Sequence, residues 1–177
     1  YLFGVNRNHA TSGNVTVTGV PTRYQTAALA PGNFLSGVVT TVLASTAHNL
    51  TVTYVDQDGN AAEAGAAVAV RVSSAVNTLP LTQPRWYYEL NAGDTGLRNI
   101  TILNTSAAST GNVDWYIGHC LAIAPFVIAN VVHILDGINS AFNLIQIQDG
   151  ACLALSEYFK SATTATTYNG EILTVYG

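Results

Sequence analysis

Along most of the chain, apolar and polar residues trade places one by one. "NVTVTGV" (Asn14 to Val20) and "LTVTYV" (Leu50 to Val55) alternate with a period of two, the repeat of a strand buried on one face. "AVAVRV" (Ala67 to Val72), "RWYYEL" (Arg85 to Leu90) and "LRNITIL" (Leu97 to Leu103) carry the same pattern. The second half adds "VDWYIGHCLAI", "FVIANVVHIL", "NLIQIQ", "ACLALSEYF" and "EILTVY". Turn pairs separate nearly all of these runs: Asp58-Gly59, Gly93-Asp94, Gly111-Asn112, Asp136-Gly137, Asp149-Gly150 and Asn169-Gly170. No amphipathic helical period is present, although "TRYQTAALAPGNFLSGV" has room for one short helical turn before Pro31. About ten short strands at this spacing predict an all-β fold, an antiparallel β-sandwich of jelly-roll-like kind.

A chain of 177 residues suits one compact domain, with its main body over residues 48–177. Residues 1–47 are either an N-terminal arm docking on a neighbour or the first strands of the same body. Their first thirteen residues open on three large apolar side chains and are otherwise poorly patterned. The most apolar stretch, Ile117 to Leu135, nearly reaches membrane-spanning length. It holds His119, Asn130, His133 and a central Pro125 and lacks flanking positive charge, so two strands meeting at Pro125 are expected and a membrane partner is not.

Charge changes the picture most. Only 9% of residues are charged, six basic and ten acidic, for a net charge of −4. Spread over the roughly 8,200 Å² that a folded chain of this mass exposes, that is about one charge per 500 Å², against one per roughly 190 Å² at ordinary composition. Such a surface is clothed in Thr, Ser, Asn, Gly and Ala or is partly buried against other copies. The second option predicts a homo-oligomer, with a trimer favoured. The scattered arginines form no basic stripe, which argues against nucleic-acid binding.

Three motifs invite a chemical reading. Asp94-Thr95-Gly96 is the tripeptide of aspartic proteases, whose mechanism needs two such loops sharing a proton. Here Gly93 precedes the Asp, bulky Leu97 follows Gly96 and no second copy exists, so a structural turn is expected, with Asp94 capping it and both glycines supplying positive φ. "DQDGNAAE" (Asp56 to Glu63) resembles a calcium loop but puts Ala61 and Ala67 where an EF-hand needs Gly and Glu. A looser oxygen site from Asp56, Asp58, Asn60 and Glu63 remains open, beside the plainer reading of a hairpin turn at Asp58-Gly59. His9, His48, His119 and His133 have no mutual ligand spacing, and no nucleophile elbow or phosphate-cradling loop is present. An enzyme is therefore not expected, nor a cofactor. Cys120 and Cys152 permit one disulfide without requiring it. The aromatics Trp86, Tyr88 and Trp115 are candidates for a subunit interface, with sugar stacking as the alternative.

Leu50 to Tyr54, the Asp58-Gly59 turn, Ala92 to Arg98, Ile100 to Leu103 and Ala151 to Leu155 together carry a resemblance. An "LTVTY" strand entering a D-G turn, an "AGDTG-(V/L)-R" turn entering an alternating strand, and a later "LAL" strand resemble a group of structural proteins of tailed bacteriophages. The match covers about Asn49 to Phe159. It implies a virion component without a catalytic site, self-associating and attached to capsid or neck proteins. It also gives Arg98 a role beside Asp94, tying the turn with charge-assisted hydrogen bonds. The expected function is decoration or cement on the capsid exterior. A carbohydrate- or receptor-binding module and an extracellular filament subunit are the alternatives.

Overall fold

The computed structural model describes residues 3–22, 25–83 and 85–120. These form strands β1 (Phe3–Asn8), β2 (Gly13–Thr16), β3 (Asn33–Thr41), β4 (Asn49–Asp56), β5 (Glu63–Ala64), β6 (Val68–Ala69), β7 (Leu97–Thr105) and β8 (Asn112–His119). One sheet has the order β1-β8-β3 and the other β2-β7-β4-β5, with β6 also on β4, and every pairing is antiparallel. The chain is thus an all-β antiparallel sandwich. Its order is that of a long hairpin wound round on itself: β4 with β5 innermost, then β2 with β7, then β1 with β8. Winding brings β3 back to β8 and β4 back to β7, which is the jelly-roll arrangement.

The fourth place in the smaller sheet is filled irregularly. Backbone bonds from Leu43 to Ser74, Val39 to Thr78 and Tyr88 to Leu35 lay residues 74–78 and 86–88 along the outer edge of β3. This explains a difference from the alternation pattern. "RWYYEL" forms no strand; it is a bent edge segment whose backbone is paired only at intervals. "AVAVRV" likewise contributes only β6 and an isolated bridge at Val70.

β3 itself, "NFLSGVVTT", escapes the period-two signal because Gly37 interrupts it. That glycine is needed there. It faces Trp115 across the ladder, and a Cβ would sit 2.8 Å from the indole and 3.1 Å from Pro80. The indole lies over the gap, fully buried, between Leu35 and Val39 of β3 and Val113 and Ile117 of β8. Leu50, Val52 and Tyr54 of β4 and Leu97, Ile100 and Leu103 of β7 supply the facing layer.

On β7 the inward residues fall at every third position rather than every second. Register slips opposite Thr53/Tyr54 and Val55/Asp56 insert an extra residue each time, and each bulge resets which side chains face the core. Within the first forty-seven residues, β1, β2 and β3 belong to the same two sheets. Ahead of β3, a single turn closed by the Ala30 N–H on Thr26 O stands just before Pro31.

The runs "FVIANVVHIL", "NLIQIQ", "ACLALSEYF" and "EILTVY", and the pairing of Cys120 with Cys152, lie outside the described residues. No helix among the described residues is long and apolar enough to cross a membrane.

Because the Trp115 ring occupies the space above Gly37, Gly37→Ala is expected to cost about 1–3 kcal/mol through overpacking. Urea denaturation should show a lower midpoint at unchanged slope.

Candidate functional site

The fold brings together the two loops that stand out in the sequence. β4 ends at Asp56, opposite Leu97 at the start of β7, so the Asp56–Asn60 turn and the Gly93–Gly96 turn meet at one end of the larger sheet. Gln57 joins them, its side-chain oxygen accepting the Thr95 N–H at 3.0 Å and its carbonyl accepting Arg98 Nε at 3.0 Å. β5 returns from the first turn with Glu63 opposite Tyr54. The result is a group of three carboxylates, Asp56, Glu63 and Asp94, with oxygens within 4.8 Å of one another.

Each acid has a different job. Asp56 is buried and caps its own turn: Oδ1 accepts the backbone N–H of Asp58, Gly59 and Asn60 at 2.7–2.9 Å, and Oδ2 accepts the Asn60 amide at 2.7 Å. Burial opposes its ionisation, but the Asn60 side chain and these backbone donors outweigh that and hold its carboxyl below the ordinary value. Asp94 closes the turn from Asn91 through its own N–H and accepts a short hydrogen bond from the Tyr54 hydroxyl. That hydroxyl in turn accepts the Asn91 N–H at 2.9 Å. Burial, and then the bond to Asp94, push the Tyr54 phenol well up, so it stays a donor. Burial, and then the charges of Asp94 and Asp56, raise the Glu63 carboxyl above its usual value.

Two expectations are corrected here. Arg98 does not pair with Asp94: its guanidinium reaches over the first turn to Gln57 and lies 3.1 Å from where a Cβ on Gly59 would be. It is an extra residue of a β7 bulge, which aims it at the neighbouring loop, while Tyr54 takes Asp94 from below. Asp58 also does not join the carboxylate group, which is Asp56, Glu63 and Asp94; it accepts the Gln57 amide, and the Asn60 amide donates to Asp56. The glycines divide the work differently from expectation. Gly93 has φ +103, but Gly96 has no positive φ and is required because a Cβ would collide with the Ala30 carbonyl. Residues 30–32 cross at that point, bonded by the Gly32 N–H to Thr95 O at 2.9 Å.

As chemistry, the group falls short of a proton-sharing dyad. Asp56 has both oxygens filled by N–H donors, and Asp94 is held by a phenol. Two depressions formed by described residues open elsewhere. One of about 380 Å³ lies over Gly4, Asn6, Val38 and Tyr116; the other, of about 430 Å³, lies over Ala67, Gln83 and Leu90. A hard cation is the ligand the three carboxylates would suit, with Glu63 and Asp94 the better donors.

The aromatics are also reassigned. Tyr88 and Trp115 are core residues, 1% and 0% exposed, and form no subunit surface. The Tyr88 ring enters from the edge segment, and its hydroxyl donates to Ala66 O at 2.5 Å and takes the Val52 N–H at 3.4 Å. It thereby fills the break between β5 and β6. Gly65 is obligatory beside it, because a Cβ would meet that hydroxyl at 2.6 Å. Trp86 is half-buried in a surface group with Phe34, Tyr87 and Tyr116. Successive rings cross at 78–85°, an edge-to-face packing that offers no flat platform for a row of sugar rings.

No family model, curated protein or solved structure matches this chain.

Tyr54→Phe leaves the Asn91 N–H and the Asp94 carboxylate without their shared partner and is expected to cost about 1–3 kcal/mol in urea unfolding. In Asp94→Asn, carboxyl NMR should show Glu63 titrating closer to its ordinary value, because a raising charge has been removed.

Proposed function

We propose that this chain is a self-associating structural subunit, a decoration, cement or neck-type protein on the exterior of a tailed-bacteriophage particle. The observation that carries the self-association is an exposed apolar group. Val42, Val72 and Val76 are 54%, 41% and 46% exposed, and backbone bonds between Leu43 and Ser74 and between Ser73 and Ala44 hold their segments side by side. Single exposed valines are ordinary, but three on adjoining segments of so weakly charged a chain suit a buried contact.

The charge count points the same way. Two of the chain's few ionic groups, Arg7 and Asp56, are spent inside the fold, which thins the charged surface further. The jelly roll is a frequent architecture of viral coat proteins, which supports the reading by analogy of fold alone. The residues behind the phage resemblance, from Leu50 to Tyr54 and from Ala92 to Arg98, serve turn and strand knitting in this fold. That suits a pattern kept for building rather than for catalysis. The virion setting rests on the resemblance; a closed ring, with a trimer favoured, is the form we propose, closed symmetry being the general rule for homo-oligomers.

Light scattering on the purified chain should give a mass that is a small multiple of 18.6 kDa. Val42→Lys with Val76→Lys should shift it towards one copy and leave the melting temperature nearly unchanged, since both side chains are exposed. A monomer at high concentration that binds no particle protein would overturn the proposal.

A further inference from the structure

The corner where the chain leaves the smaller sheet for the larger one is built from cations and histidines without an acid. Arg7, the last inward residue of β1, is 2% exposed. Its guanidinium donates to Asn8 O at 2.6 Å, Thr11 O at 2.8 Å, Gly13 O at 3.2 Å and the Thr105 hydroxyl at 2.8 Å. All of these acceptors are neutral. Two residues on, His9 is wholly buried, with Nδ1 2.8 Å from Nε2 of His48, which stands immediately before β4.

The proton positions in this pair follow from one carbonyl. His48 Nδ1 lies 2.9 Å from Thr46 O, which can only accept, so Nδ1 carries the hydrogen and Nε2 of the neutral ring is an acceptor. His9 Nδ1 therefore donates to it, and His9 Nε2 is left as a buried lone pair with no hydrogen-bond partner. A proton added to His48 Nε2 would set two N–H groups against each other. A proton added to His9 Nε2 would create a buried cation, without an acceptor, next to Arg7.

No neighbouring element among the described residues relieves this. The segments that pack on the pair, residues 43–48, 70–74 and 106–111, carry no carboxylate, and their one further charge is another cation, Arg71, whose guanidinium donates to Leu81 O.

We propose that the His9–His48 pair is an acid-released latch: neutral, it pins the β1–β2 turn to the head of β4, and protonated, it lets that corner open. The inference is independent of the virion reading. Opening also strains the bonds from His9 N–H to Gly111 O and from Ser109 N–H to His9 O, which anchor the same turn to the β7–β8 loop. It would uncover the edges of β8 and β7 now covered by β1 and β2.

The sign of the pH effect follows from linkage. Burial first, then His48 and Arg7, hold His9 down to about 4 from its ordinary 6.5. The unfolded or opened corner thus binds more protons between those values. The stabilisation is complete above pH 6.5 and is lost as the pH falls towards about 4.

Hydrogen exchange of the full chain, corrected for intrinsic rates, tests the latch. From pH 7 to about pH 4.5, protection of residues 3–17 should drop roughly tenfold or more, while residues 50–56 of β4 keep theirs. The double variant His9→Asn, His48→Gln keeps a donor and an acceptor but cannot titrate, and its 3–17 protection should not respond to pH. Parallel loss in both segments, or an unaltered response in the double variant, overturns the proposal. Should that variant fold poorly, imidazole NMR of the wild-type chain decides: His9 titrating below about 5 supports the latch, and His9 titrating near 6.5 removes it.

Discussion

Strand β7 is the constraint from which the rest of the molecule follows. It is paired on both edges, with β2 on one side and β4 on the other, and forty residues, 57–96, separate it from β4 in sequence. Once Asp56 is set opposite Leu97, the turn leaving β4 and the turn entering β7 must share one end of the sheet. The carboxylate group, the Gln57 bridge and the Tyr54–Asp94 bond are consequences of that register. The two bulges on β7 choose which of its residues reach the core and send Arg98 to the adjoining loop.

A second theme is how the sandwich handles polar groups it has buried. An unsatisfied polar group in a core costs about 1–3 kcal/mol, so each one brought inside needs an acceptor or donor at the right place. Tyr54 and Tyr88 do this with rings in the core and hydroxyls that close gaps in the backbone ladder. Asn33 does it by donating to Leu97 O, and Ser36 by donating to Trp86 O. The Asn33 bond ties β3 to β7, and the others join loops to strands. They hold the irregular 60s and 80s, where the ladder lapses, against the regular body. The Arg7–His9–His48 corner differs, because it leaves Arg7 Nε and His9 Nε2 buried without a hydrogen-bond partner.

Among the described residues, Asp56 is capped and Asp94 is bound by a phenol, Trp115 and Tyr88 are core, and three exposed valines sit on neighbouring segments. These are the features on which the proposed structural role rests.

The sequence by itself determined the fold class, the β4 and β7 strands nearly to the residue, and the turns at Asp58-Gly59 and Gly93-Asp94. Period two and turn chemistry are local properties, written in neighbours along the chain. Tertiary structure decided what local pattern cannot encode. β3 was hidden because its Gly37 serves a ring from another strand, and "RWYYEL" alternates yet lies along an edge where pairing is only partial. Arg98 has Asp94 four residues before it, but the bulge, not the spacing, set its partner. The histidine pair left no trace in spacing, since His9 and His48 meet only when the sheets close. Long-range register, bulges and shared burial are properties of two distant segments at once, and only the folded chain contains them.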